Sequence, residues 1–149
     1  MYFESFDSPL GAITVEADDS FVTAVRFICS SEQNPNAVTE LAVKELLEYF
    51  NGERKSFTVI CSFGGTPFQN KVWSALCDIP YGETASYSDI AKNVGSPNAC
   101  RAVGSANNKN PIPIIVPCHR VIGKNGALVG YAGGIEIKQK LLQIENRYK

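Results

Sequence analysis

The run Pro111-Ile112-Pro113-Ile114-Ile115-Val116-Pro117 limits this chain more strictly than any other feature. Proline holds φ at about −65° and has no amide hydrogen to donate, so this run cannot be helical. The residues between the prolines are apolar and β-branched, which predicts extended, largely buried backbone. The fold must therefore carry a stiff segment inward and end it on Cys118-His119-Arg120-Val121-Ile122, where a cysteine meets the only histidine in the chain.

A thiolate is the reactive form of cysteine, and a nearby base or positive charge favours it. Neighbours in extended backbone point to opposite faces. A direct Cys118–His119 hydrogen bond thus needs a local bend, and otherwise a water must relay the proton. The dipeptide by itself equally describes a buried cysteine beside a histidine packed into the same core.

The remaining sequence sets the frame for that pair. A length of 149 residues suits one compact unit or two small lobes. With 44% hydrophobic and 19% charged residues the composition argues against disorder. No apolar stretch reaches the ~18 residues of a membrane span, and the start MYFESFDSPLG lacks the basic and apolar parts of a secretory signal. Five cysteines, at 29, 61, 77, 100 and 118, form an odd set without a C-x-x-C pair, which predicts reduced thiols in a cytoplasm-like compartment. One histidine and scattered thiols do not make a zinc site, so no metal is expected. Charge is uneven: residues 1–60 carry 10 acids and 4 bases, whereas 61–149 carry 5 acids and 10 bases. A positive lobe of this kind is the footprint of a polyanion partner, although an unevenly solvated surface has the same composition.

Local signals divide the chain near Ser62-Phe63-Gly64-Gly65. Before it, residues 2–6 and 12–17 flank the turn Ser8-Pro9-Leu10-Gly11 and read as a hairpin, 21–28 as a further strand, and 37–51 as a helix. That helix is expected to turn Val38, Leu41, Ala42, Glu45, Leu46, Tyr49 and Phe50 to one side, with Gly52 just beyond its end. Beyond the boundary, Thr66-Pro67-Phe68-Gln69 starts a helix to about Asp78 that buries Phe68, Val72, Trp73 and Leu76. Ser86-Tyr87-Ser88-Asp89 starts a second and Ser96-Pro97 opens a third, running to about Asn107. The last two outline a helix-turn-helix, a shape that many helical hairpins share only to support a core. The third helix is unlike a sequence-reading one. Ala99, Ala102, Gly104 and Ala106 are small and Arg101 is the sole charge, which suits close backbone approach with one long probe.

Taken together, Arg-Ala-Val-Gly at 101–104, Asn110 through Ile122, and Gly-Tyr-Ala-Gly-Gly at 130–134 closely resemble the O6-alkylguanine-DNA alkyltransferases, the methylated-DNA–protein-cysteine methyltransferases. The resemblance runs continuously over residues 66–149; over 1–60 it rests on lobe size and the Ser8–Gly11 turn. It implies an α+β fold. A small N-terminal antiparallel sheet with a helix, RNase H-like, occupies 1–62, and a helical, winged-helix-like domain with the helix-turn-helix occupies 66–149. It further implies repair of O6-alkylguanine, and of O4-alkylthymine, in double-stranded DNA by irreversible transfer of the alkyl group to cysteine. No cofactor, membrane or obligate protein partner is implied, and the chain is expected to act as a monomer in the cytoplasm, or in the nucleus of a eukaryote.

Residue by residue, Cys118 resembles the acceptor thiol, His119 its water-bridged base, and Glu145 the carboxylate that orients the histidine and stabilises its charged form. Tyr87 resembles the tyrosine that helps rotate the nucleotide and donates to purine N3, and Arg101 the finger that fills the vacated stack. Ser88, Ala102, Gly104, Asn110 and Lys124 fall in the DNA-binding set, with Asn110 bracing the segment before the active site. Val121, Tyr131 and Ala132 fall in the wall of the base pocket. Some members carry serine where this chain has Ala132, so a hydroxyl contact there is lost and adduct preference is affected. Three rivals differ in kind. A lesion sensor on this scaffold would lack Cys118. A cysteine hydrolase would need oxyanion donors and usually a histidine distant in sequence. A helix-turn-helix regulator would need a dimerisation element.

Overall fold

The computed structural model describes residues 1–128, 131 and 133–149, with Lys124 described by its main chain only. Two compact units emerge: Met1–Phe63 with Pro111–Ile115, and Gly64–Asn110 with Val116–Lys149. The proline run is thus divided between them.

In the first unit, β1 (Tyr2–Ser8) and β2 (Gly11–Ala17) pair antiparallel from Tyr2↔Ala17 to Ser8↔Gly11. Ser8 staples the two-residue loop: its Oγ donates to the Gly11 carbonyl at 2.7 Å and accepts from the Leu10 amide at 3.0 Å. Gly11 has φ +99°, a conformation that glycine adopts without strain. β3 (Val22–Arg26) joins the other side of β2, giving the order β1-β2-β3. The Val25 amide donates to the Pro111 carbonyl at 2.9 Å, which ties the returning segment to β3.

α1 (Ala37–Phe50) starts where Asn36 and Thr39 cap each other. Its buried stripe is Thr39, Ala42, Val43, Leu46, Tyr49 and Phe50, with Glu45 beside it. Leu41, expected on that face, is exposed, because at 3.6 residues per turn it projects opposite the stripe.

In the second unit, α2 (Pro67–Leu76) carries the Thr66–Gln69 capping box and buries Val72, Trp73 and Leu76, while Phe68 is only half-buried. β4 (Ala85–Ser86) leads into α3 (Tyr87–Asn93), capped by Ser86 and Asp89. α4 (Cys100–Asn108) begins later than Ser96-Pro97 predicts. Ser96–Ala99 form a separate turn, closed by the Ala99 amide on the Ser96 carbonyl at 2.9 Å. α3 and α4 pack together as the helix-turn-helix outline requires, and Trp73 Nε1 donates to the Ala106 carbonyl at 2.8 Å, fixing α2 to α4. β5 (Val121–Ile122) pairs in parallel with β4, and α5 (Ile135–Tyr148) closes the chain.

The proline run is not extended. The Ile115 amide donates to the Pro113 carbonyl at 2.9 Å, a γ-turn about Ile114. Ile114 has φ +74°, strained for a β-branched residue, and is fully buried, so packing holds the strain. A second, inverse γ-turn forms about Pro117 (φ −81°, ψ 62°), closed by the Cys118 amide on the Val116 carbonyl at 2.8 Å. A 3₁₀ turn over Cys118–Arg120 follows. Buried prolines cannot join a ladder, and tight local turns give the amides between them partners.

Candidate active site

Cys118 is 2% exposed, at the start of the 3₁₀ turn. Burial pushes its thiol up to about 11, against a hydrogen bond with the Asn110 side chain and the positive charge of Lys138. Asn110 is itself anchored, its Nδ2 donating to the Val116 carbonyl at 2.8 Å. Asn107 Nδ2 donates to the Cys118 carbonyl at 3.4 Å, while its Oδ1 is buried without a hydrogen-bond partner among the described residues. Half-buried Tyr87, at the start of α3, and buried Tyr131 both sense the sulfur. Burial raises each phenol, Tyr131 well above its usual value, and the Cys118 charge adds to the effect. Gly104 lies against the Tyr87 ring, where a Cβ would stand 3.8 Å from it. Gly104 and Asn107 share one face of α4.

His119, next along the turn, is fully buried, and its Nε2 lies 2.6 Å from Glu145 Oε2 on α5. Arg120 grips the same carboxylate with two hydrogen bonds, Nε to Oε1 at 2.8 Å and a terminal nitrogen to Oε2 at 3.0 Å. Its other terminal nitrogen donates to the Ile79 carbonyl at 2.7 Å, and the Gly82 amide reaches Glu145 Oε1 at 3.3 Å. Burial would raise the Glu145 carboxyl, but hydrogen bonds and positive charge from His119 and Arg120 hold it down at about 2. His119 moves below its usual value, chiefly through burial and against its hydrogen bond to Glu145 and that carboxylate's charge, with Arg120 and Lys138 adding to the drop. At neutral pH this is an ionised carboxylate facing a neutral imidazole. Nε2 must then carry the proton and donate, which leaves Nδ1 as a lone-pair acceptor. Nδ1 is buried without a hydrogen-bond partner among the described residues. Lys138, also fully buried, donates from Nζ to the Val121 carbonyl at 2.5 Å. No group of three or more His, Cys, Asp and Glu suited to a metal occurs among the described residues.

Residues 67–147 match the family model of the 6-O-methylguanine DNA methyltransferase DNA-binding domain, and residues 1–61 match that family's ribonuclease-like domain. This chain belongs to the 6-O-methylguanine DNA methyltransferase family. A methylated-DNA–protein-cysteine methyltransferase of Methanosarcina acetivorans is 50% identical, with 97% of this chain and 98% of that protein covered. The constitutive enzyme of that name from Bacillus subtilis is 49% identical, covering 97% and 94%. Among solved structures, Mycobacterium tuberculosis OGT in complex with DNA is 45% identical with a TM-score of 0.91, covering 99% of this chain and 94% of that one. The α+β reading of a small sheet-and-helix unit and a helical DNA-binding domain therefore stands.

Within this methyltransferase scaffold the expected residues fall into two groups. Cys118, His119, Glu145, Tyr87, Asn110, Val121 and Tyr131 are buried or half-buried in the second unit. Arg101 and Ala102 lie on the exposed face of α4 with Ser105 and Asn108, and Ser88 is half-buried on α3. Ala132 and the Lys124 side chain lie outside the described residues. Arg120, Lys138 and Asn107 received no role from the sequence. Lys138, Leu141 and Glu145 follow i, i+3, i+7 spacing, so the inward stripe of α5 was the signal for Lys138.

Proposed function

We propose that this protein repairs O6-alkylguanine, and by resemblance O4-alkylthymine, in double-stranded DNA by moving the alkyl group to Cys118, once per molecule. One observation carries the reading: a buried thiol one residue from an imidazole whose Nε2 is bound to an ionised carboxylate and whose Nδ1 is free to accept. The thiol sits at about 11, so it meets the substrate protonated and needs a base at the moment of transfer.

Water passes the Cys118 proton to His119 Nδ1. The sulfur attacks the alkyl carbon, the S–C bond forms, and the C–O6 bond breaks with its electron pair leaving on the purine. The proton then passes to N1 of the departing guanine, which restores neutral base and neutral imidazole. Attack at an sp³ carbon needs no oxyanion hole; the demand is on the leaving purine. Tyr87, its phenol held protonated by burial, donates a hydrogen bond to that purine as charge develops. The thioether has no route back to thiol, so the reaction is stoichiometric.

The target atom is hidden in stacked duplex, so the nucleotide must be turned out at a cost of a few kcal/mol. Exposed Arg101 fills the gap, while Ala102, Gly104, Ser88 and Lys124 follow the minor groove, whose code is degenerate. Asn110 braces the active-site segment, and Val121, Tyr131 and Ala132 wall the base pocket. The 66–149 region performs these steps and 1–62 supports it. The protein acts as a monomer without cofactor, obligate protein partner or membrane contact. Its five cysteines form no disulfide, which suits the reducing cytoplasm.

Intact-mass measurement after mixing with a duplex containing one O6-methylguanine tests this. One adduct of about 14 Da per protein, located on the Cys118 peptide, is the expected result. No adduct with tight lesion binding would replace transfer by sensing.

A further inference from the structure

Arg120 stands outside the relay just described, yet it makes more hydrogen bonds to Glu145 than His119 does. We propose that Arg120 is a positioning residue that acts through Glu145 to keep the resting His119 neutral, so that Nδ1 is available for the Cys118 proton. The inference rests on the transfer reading above, and it assigns a division of labour within that site.

The geometry carries the argument. Two parallel hydrogen bonds of 2.8 and 3.0 Å set the guanidinium edge-on to the carboxylate, and the 2.7 Å bond to the Ile79 carbonyl fixes its other side. The guanidinium also lies over the Tyr81 ring, 5.6 Å from its centroid. Such a fork cannot swing away without breaking several buried bonds. A carboxylate facing an imidazole with no other partner favours the imidazolium, which holds protons on both nitrogens and cannot act as a base. With Arg120 on the same two oxygens, the anion is already neutralised, and a second positive charge on His119 would face the first across one carboxylate.

The charged and titratable groups facing His119 are few. From α5 come Glu145 and Lys138; from its own turn, Cys118 and Arg120. α2 also packs on this turn, but its buried residues are Val72, Trp73 and Leu76, and Lys71 is exposed. Lys138 pushes in the same direction as Arg120 while its Nζ bonds the Val121 carbonyl, so Arg120 is the cation bound to the carboxylate itself.

Because His119 is the only histidine, ¹⁵N-histidine NMR of the full chain reports this ring alone. The test titrates wild type, Arg120→Gln, which keeps a donor without charge, and Arg120→Lys, which keeps charge without the fork. Transfer rates from O6-methylguanine duplex are measured at pH 6 and pH 8 in parallel. Wild type is expected to show the Nε2–H tautomer at pH 7. In Arg120→Gln the imidazole titrates about one pH unit higher, so its rate at pH 6 relative to pH 8 falls further than in wild type, by up to about sixfold. Arg120→Lys should titrate near wild type. A wild-type imidazolium at pH 7 would overturn the proposal, even if the variants failed to fold. An unchanged midpoint in Arg120→Gln, or equal shifts in both variants, would also overturn it. Loss of the alkyl adduct with a normal titration would instead count against the transfer reading.

Discussion

Glu45 in α1 and Glu145 in α5 are each 1% exposed, each helical and each held below the usual carboxylate range. Burial opposes ionisation in both, and hydrogen bonds and a nearby arginine overcome it. Their partners differ in kind. Glu45 takes the Thr58 amide at 2.8 Å, the Thr58 hydroxyl and the Val59 amide at 3.2 Å, with Arg54 at 3.6 Å. None of these exchanges a proton near neutral pH, and the Arg54 side chain is 25% exposed. Glu145 shares its oxygens with an imidazole and a buried guanidinium. A buried carboxylate becomes part of a chemical site when one of its partners titrates and that partner keeps a second atom free. Glu45 pins the 58–59 segment to α1; Glu145 is hydrogen-bonded to His119 Nε2.

Neutralising each carboxylate in turn gives the sharpest separation. Glu145→Gln should slow transfer a hundredfold or more, on the order expected when an acid–base relay is disabled. Glu45→Gln should leave the single-turnover rate unchanged. Equal rate losses would break the comparison. Stability should change in both variants but unequally, as chemical denaturation would read. Glu145→Gln leaves buried Arg120 unpaired and costs about 3–5 kcal/mol. Glu45→Gln costs about 1–3 kcal/mol, because Arg54 can rehydrate.

Acid provides the next contrast. A depressed folded-state pKa contributes stability that is fully present above the unfolded value of 4.5 and is lost as pH falls toward about 2. Wild type should therefore lose stability across that window more steeply than Glu145→Gln. Parallel acid-unfolding curves would show that Glu145 is not held ionised. The smallest expected effect is that of Thr58→Val, which removes only the hydroxyl on Glu45. It should cost about 1 kcal/mol with no change in transfer rate.

Much of the fold was legible because its signals are local. The Ser8–Gly11 turn, the Thr66–Gln69 and Ser86–Asp89 boxes and the glycine after α1 act within four residues, and the structure uses them all. Errors arose at a local turn, in the reading of helix periodicity, and where burial overruled local preference. Ser96-Pro97 stops short of α4, Leu41 faces outward, and the proline run closes into two γ-turns about Ile114 and Pro117. The site divides in the same way. Cys118 and His119 are adjacent and were found together. Glu145 came only from resemblance, because one acid in a helix of mixed polarity carries no sign of its burial.

The sequence by itself determined the hairpin turn and the helix caps, the juxtaposition of one thiol with one imidazole, and the family, since each is written in residues close along the chain. Tertiary structure alone decided which of two buried glutamates faces a titratable partner. It also decided that Arg120 and Lys138 carry their charge into the interior and which nitrogen of His119 is left to accept a proton. Those outcomes depend on partners 25, 26 and 63 residues from Glu145, and on the loss of water that makes each remaining hydrogen bond count.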